Sequence, residues 1–314
     1  MIFPQSRIRT ALAVFGPRIS ASLLNGGLHA AARARGLVEK GRAVMEHAWG
    51  RYGAADRSGQ VFPDAPPPRS PSGRRIYAIG DIHGRADLLV RLLRLLQHDA
   101  SRGDFKGRPI LVFLGDYIDR GFQSRDVINI LLSDALSRFE TYFLKGNHEA
   151  AMLQFLKDPA AGPQWAEFGG AATLASYGVQ PPRMRTSLEQ WGHASRALRR
   201  ALPPAHLHFL SSLHLSIRFG DYFFVHAGVR PGVGLEQQTE DDMLRIREDF
   251  LADRNPLGAV VVHGHTPSGS VHRDYRRIGI DTGAYLSGRL TAARFEHETV
   301  EFIATEPVNV PIPA

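Results

Sequence analysis

Three short segments carry side chains that can hold cations, bind phosphate oxygens or move protons. They are Gly80-Asp81-Ile82-His83-Gly84, Gly115-Asp116-Tyr117-Ile118-Asp119-Arg120-Gly121 and Gly146-Asn147-His148-Glu149. Two histidine groups follow, His226-Ala227-Gly228 and His263-Gly264-His265. The chain has no cysteine, which excludes disulfides and thiolate ligands together. Carboxylate, imidazole and amide donors remain, a set that suits manganese, iron or zinc. Arg120 adds a planar fork able to pair two phosphate oxygens. Taken alone, each residue also has a bland reading: an aspartate before a glycine is commonly a turn or helix cap, and a lone histidine a satisfied core or surface group.

The elements that must position these groups are short apolar runs. Ile76 to Ile79, Ile110 to Leu114, Tyr142 to Leu144, Tyr222 to Val225 and Val260 to Val262 each lead directly into one of the polar groups. Runs of this length read as buried strands, and five strands ending in polar groups imply one common rim. Between the first three, helical spacing recurs: Leu88, Leu89, Leu92, Leu95 and Leu96 within a helix from Ala86 to Asp99, and Val127, Ile128, Leu131 and Leu132 within one from Ser124, as its cap, to about Arg138. A strand, loop and helix unit repeated three times predicts an α/β layered fold with its site at the strand ends. Residues 150–212 break the rhythm with helices, one of them from Ser187 to Leu202, punctuated by Pro181-Pro182 and Pro203-Pro204. They are rich in bulky groups such as Trp165, Phe168, Tyr177 and Trp191, which predicts an inserted helical cap beside the site. From Leu213 onward strands dominate, over Leu213 to Phe219, Tyr222 to His226, Ala259 to Val262, Arg277 to Ile280, Leu290 to Phe295 and Thr299 to Ile303.

Together the motifs GDxHG, GDxxDRG and GNHE, in this order and followed by two separated histidine motifs, resemble the metallophosphoesterases. Within them the match is to the branch of serine/threonine phosphoprotein phosphatases, and it spans roughly residues 75–305. Two details depart from the eukaryotic pattern: His226 stands in His-Ala-Gly rather than His-Gly-Gly, and His265 lies in Gly-His-Thr-Pro, which is similar to the bacterial and phage branch. The resemblance implies two packed, mainly mixed β-sheets flanked by helices. It implies a pair of divalent ions, manganese first with iron or zinc as alternatives, held by Asp81, His83, Asp116, Asn147, His226 and His265, with Asp116 as the bridge. It further implies His148 as general acid oriented by Asp119, and phosphate binding by Arg120 and a second arginine. Arg247 is the expected second clamp, with Arg245 and Arg230 as competitors. His263, two residues from His265 on an extended segment, is expected near the site but outside the ligand set, and Glu149 and Asp281 are expected to support rather than catalyse. The implied activity is a phosphomonoesterase acting on phosphoserine or phosphothreonine side chains of proteins or on small phosphoesters. The alternative is a symmetrical dinucleoside tetraphosphatase or another nucleotide phosphohydrolase on the same site.

The net charge of +7 is unevenly placed. Residues 1–75 hold twelve Lys and Arg against four Asp and Glu, whereas the rest hold 26 against 27. The basic character therefore belongs to the leader and says little about substrate. Residues 1–50 read as a basic, Ala/Arg-rich extension, partly helical or disordered, 51–73 as a Pro/Gly/Ser-rich linker, 74–306 as the catalytic domain and 307–314 as a tail. Arg18 interrupts the apolar run from Ala11 to Phe15, which argues against a secretory signal and for a cytoplasmic location. No run approaches the length of a membrane span. No specific nucleic-acid binding is expected, and the leader's contact with acidic surfaces is expected to be weak.

Overall fold

Alternation along the strands builds the layers. In β1 (Arg75–Ile79), Ile76 and Ala78 face one core and Tyr77 and Ile79 another. In β2 (Ile110–Phe113), Ile110 and Val112 join the first core and Leu111 and Phe113 the second. Successive side chains of a strand point to opposite faces, so a strand that is apolar on both faces must be covered on both. The sheets supply one cover and the helices the other. Each large apolar side chain so enclosed contributes about 1.5–3 kcal/mol relative to exposure.

The computed structural model describes residues 67–183 and 186–306. The expected basic extension, most of the expected linker and the tail from residue 307 lie outside the described residues. The last residues before β1 already pack on the domain: Pro68 O accepts the Tyr222 hydroxyl, the Arg69 N–H donates to the Asp221 carboxylate while Arg69 O accepts the Asp221 N–H, and the Ser70 N–H donates to His297 O.

Ten strands form two five-stranded sheets among the described residues. The first has the order β10-β9-β1-β2-β3, with β3 (Glu140–Phe143), β9 (Thr291–Glu296) and β10 (Thr299–Ala304). There β1, β2 and β3 are parallel, while β9 and β10 add antiparallel edges. The second has the order β4-β5-β6-β8-β7, with β4 (Ser216–Phe219), β5 (Tyr222–Val225), β6 (Val260–His263), β7 (His272–Arg273) and β8 (Arg277–Gly279). Its central strands β5, β6 and β8 are parallel. Ile76, Ala78, Ile110, Val112 and Phe295 from one sheet meet Tyr222, Phe224, Val262 and Ile278 from the other, so the sheets pack face to face. On the outer face of the first sheet lie α1 (Ala86–Ala100), α2 (Ser124–Leu131) and α3 (Asn147–Lys157), joined by residues 162–176 and by α4 (Leu188–Ala201) and α5 (Pro204–Ser211). On the second sheet, Phe223, Val225 and Val261 pack against Met243, Ile246 and Phe250 from the region of α6 (Glu240–Arg245) and α7 (Glu248–Ala252). The result is a mixed-sheet α/β sandwich with helices on both outer faces. No helix among the described residues is long and apolar enough to cross a membrane.

Two local expectations need correction. The helix expected from Ser124 to Arg138 stops at Leu131, because the Ser133 hydroxyl accepts the Ala135 N–H and starts a tighter turn over Asp134–Leu136. Ser124 does not cap that helix: its hydroxyl accepts the Asp119 N–H instead, and Gln123 holds the capping position without a side-chain bond.

Candidate active site

The polar groups gather where the sequence placed them, just past the C-terminal ends of β1, β2, β3, β5 and β6. The backbone there is unusual. His83, Asp116, Asp119, Arg120 and His265 all adopt positive φ, between 46° and 71°, a left-handed conformation that costs a non-glycine residue and persists only where surroundings enforce it. The neighbouring glycines explain how. A Cβ on Gly146 would lie 2.1 Å from Asp116 Oδ1, and one on Gly264 would lie 2.0 Å from Asp81 Oδ1. Only a bare Cα lets these loops close on the carboxylates.

Asp116 stands at the centre. His83 Nε2 lies 3.5 Å from its Oδ2, His148 Nε2 3.8 Å from the same oxygen, and His226 Nε2 3.4 Å from Oδ1. His226 Nε2 is also 3.0 Å from Asn147 Oδ1. The His265 ring stands 5.0 Å from that of His226, and its backbone N–H donates to both oxygens of Asp81. His83 Nε2 approaches Asp81 at 4.0 Å. All six residues expected to hold metal are thus brought together in one cluster. The second nitrogens of two rings are fixed by backbone carbonyls, His83 Nδ1 by Ile118 O at 2.9 Å and His226 Nδ1 by Leu114 O at 2.8 Å. Such bonds set the tautomer and turn Nε2 inward.

The electrostatics fit a cation. His83 Nε2 is buried and has no hydrogen-bond partner among the described residues. Asp81 is held well above the usual carboxylate range by burial and by the charges of Asp281 and Asp116, and Asp281 is pushed up to about 6 by burial, with Asp116 adding to the effect. Burial lowers His83 to about 3 and His265 to about 2, the latter helped by His226. Crowded, mutually repelling carboxylates beside neutral imidazoles form a donor set that a divalent ion would relieve. Two overlapping groups have the required closeness, His83 with Asp116 and His148, and Asp116 with His226 and His265.

His148 differs from the other imidazoles. Burial opposes its charge, but Asp116 and the hydrogen bond with Asp119 outweigh it and hold His148 at about 9. Its Nδ1 lies 2.7 Å from Asp119 Oδ2, and its Nε2 faces Asp116 and the cavity. Asp119 is fully buried and accepts further bonds from Trp165 Nε1 and the Thr173 hydroxyl. Glu149 accepts the backbone N–H groups of Asp116, Tyr117 and Gly146 at 2.9–3.0 Å, clamping the loop after β2 to the start of α3.

The arginines separate clearly. Arg120 stacks on the Tyr285 ring, 4.6 Å from guanidinium to centroid, and Tyr285 in turn meets the edge of His83. Arg247 reaches the cavity wall, donating from Nε to His265 Nε2 at 3.1 Å and from Nη2 to His265 O at 3.4 Å. A cation at that ring nitrogen would displace Arg247. Arg230 is engaged by Asp242 and Asp249, and Arg245 by Asp241, all on α6 and α7. His263 does not share the site. It is buried against Phe250, with Nε2 3.3 Å from Arg277 Nη1. The alternation that would have returned it to the face of His265 fails because His265 itself turns left-handed. Trp165, Thr173 and Tyr285 were not anticipated as site residues, since an isolated Trp, Thr or Tyr carries no spacing signal.

Residues 74–299 match the family model of the calcineurin-like phosphoesterases. The chain is 28% identical over 262 residues to a Geobacillus protein named bis(5'-nucleosyl)-tetraphosphatase PrpE, asymmetrical, covering 74% of this chain and 96% of that protein. It is also 28% identical over 252 residues to the Bacillus subtilis protein of the same name, covering 74% and 95%. A crystal structure of a candidate diadenosine tetraphosphatase superposes with a TM-score of 0.50 at 23% identity, covering 73% of this chain and 93% of that one. That likeness establishes the fold. With this family match over most of its length, the chain belongs to the calcineurin-like phosphoesterases, hydrolases of phosphoester bonds.

Proposed function

We propose that this protein hydrolyses a phosphoanhydride bond of dinucleoside tetraphosphates, so that the order of substrates expected from sequence is reversed. The observation that carries this reading is the near full-length similarity to the Geobacillus and Bacillus subtilis proteins bearing that activity in their names. Their names also specify asymmetrical cleavage, which would divide a four-phosphate bridge into a nucleoside triphosphate and a monophosphate rather than two diphosphates. The Asp119 and His148 pair serves any leaving oxygen and does not discriminate between the two substrate classes.

In this reading Asp81, His83 and Asp116 would hold one divalent ion, and Asp116, Asn147, His226 and His265 would hold the second. Bound there, the ions would act as Lewis acids and supply a nucleophile from water near neutral pH. Arg120, held by Tyr285 at the mouth, pairs phosphate oxygens, and Arg247 does the same once released from His265. His148 keeps a proton on Nε2 for the departing oxygen, while Asp119 fixes its Nδ1–H and so its orientation. General acid catalysis of this kind contributes about 10²- to 10⁴-fold.

The test is a product analysis with the manganese-loaded full chain. Diadenosine tetraphosphate should yield ATP and AMP in equal amounts and turn over faster than phosphoserine or phosphothreonine peptides. Faster turnover of the peptides would restore the protein phosphatase reading, and release of ADP alone would make the cleavage symmetrical.

A further inference from the structure

The helical insert touches the chemistry through buried side chains. Trp165 Nε1–H donates to Asp119 Oδ2 at 2.8 Å, the same oxygen that receives His148 Nδ1–H at 2.7 Å. The Thr173 hydroxyl donates to Asp119 Oδ1 at 2.6 Å and accepts the Asp119 N–H at 2.9 Å. Both carboxylate oxygens are thus engaged, and two of the three side-chain donors come from the insert. Trp165 and Thr173 are themselves buried, Trp165 tilted against Phe155 of α3 with ring centroids 5.0 Å apart.

Between these two residues the insert makes a third contact. The helical path between them kinks at Gly169, whose φ of 107° is not helical. Gly169 O accepts the Arg120 N–H at 3.2 Å, and a Cβ on Gly169 would lie 2.6 Å from that nitrogen. On either side of this kink Trp165 and Thr173 reach one carboxylate, and Gly169 itself meets the next residue.

We propose that Trp165 and Thr173 are positioning residues that fix the Asp119 carboxylate against His148, so the insert is part of the general-acid device and not only a wall of the cleft. The inference rests on the reading of His148 as proton donor. Two fixed donors leave Asp119 one orientation, and that orientation presents Oδ2 to His148 Nδ1. Without them the carboxylate can rotate about its own bond, His148 can turn, and Nε2 no longer points steadily at the leaving oxygen. Outer-shell partners of metal-ligating side chains typically matter by about 10- to 100-fold, and the same scale is expected for the partners of Asp119.

The experiment uses the full chain with Trp165→Phe, which keeps the ring and removes the N–H, and Thr173→Val, which keeps the shape and removes the hydroxyl. Thr173→Ser restores the hydroxyl. Manganese-loaded proteins are assayed with an alkyl phosphate, whose leaving oxygen needs a proton, and with p-nitrophenyl phosphate, whose leaving group needs it far less. The expected result is a fall in kcat of about 10- to 100-fold on the alkyl ester, a smaller fall on the aryl ester, unchanged KM, and recovery in Thr173→Ser. Equal losses on both esters, or an unchanged ratio in folded variants, would overturn the proposal. A second readout needs no turnover: ¹⁵N spectra of the metal-free chain should show the His148 Nδ1–H resonance shifted and broadened in Trp165→Phe and Thr173→Val. If the wild-type chain hydrolyses neither these esters nor diadenosine tetraphosphate, the functional reading fails, and an unperturbed His148 resonance would separately remove the positioning role.

Discussion

Gly146→Ala tests how tightly the site is built. Gly146 has φ −96° and ψ 170°, a conformation open to any residue, so alanine brings no backbone strain. The new Cβ would lie 2.1 Å from Asp116 Oδ1, 2.4 Å from the Asp116 N and 2.8 Å from Glu149 Oε2. Side-chain carbons essentially never approach closer than 3.0 Å, so Asp116 must retreat by about 0.9 Å. Misplacing a reacting or ligating group by about 1 Å can cost on the order of 10²-fold in rate, equivalent to about 2.7 kcal/mol of barrier. Overpacking of this kind also destabilises by about 1–3 kcal/mol. Steady-state kinetics at saturating manganese gives the first quantity and urea unfolding the second. A suitable control is Gly192→Ala in α4, where a Cβ meets only the flexible end of Arg196 at 3.4 Å. The same chemical change should there raise stability by roughly 0.5–1 kcal/mol, because glycine is a poor helix former. Retention of kcat/KM within about threefold in Gly146→Ala, a difference of under 1 kcal/mol, would refute the claim that a close-packed loop holds Asp116 in place.

Manganese at a free concentration of about 100 times Kd should stabilise the wild-type chain by about 2.7 kcal/mol, read as a rise in Tm; Asp116→Asn should lose that rise together with turnover, and a normal rise would exclude Asp116 as a shared ligand. Asp274 offers a pH test away from the metal-ligand cluster. Burial pushes its carboxyl up, but hydrogen bonds from His272 and from the backbone N–H groups of Arg276 and Arg277 prevail and hold it at about 2. A depressed carboxylate contributes stability that is present above its unfolded value near 3.9 and is lost as pH falls toward 2. Asp274→Asn should therefore be less stable than wild type at pH 6 and lose less on acidification from pH 4 to pH 2, and parallel curves would contradict the assignment.

Much of the site was legible because each polar group sits beside its own glycine at the end of an apolar run, and both signals are local. The parallel strands β1, β2 and β3 follow from runs such as Ile110 to Leu114, whose apolar residues on both faces require cover on both. Boundaries were less secure. The helix after Ser124 was expected to run to about Arg138, yet Leu136 packs from the tight turn Asp134–Leu136 rather than from a continued helix. The two-residue strand β7 is too short to show any period. The substrate was not legible because the motifs specify the handling of phosphate, which esters and anhydrides share.

The sequence by itself determined the donor chemistry. Absence of cysteine, aspartates and histidines at strand ends, and arginine beside the central aspartate restrict the site to oxygen and nitrogen ligands around a phosphate. Tertiary structure decided which of those groups cooperate. Whether Arg247, Arg245 or Arg230 reaches the cavity depends on which carboxylates lie nearby on α6 and α7, and whether His263 faces the site depends on one left-handed residue that reverses the strand's alternation. Asp119 is held by Trp165 and Thr173, residues from a segment whose composition announces only bulk. Hydrogen bonds between groups so distant along the chain leave no periodicity to read, because their geometry exists only after the layers have packed.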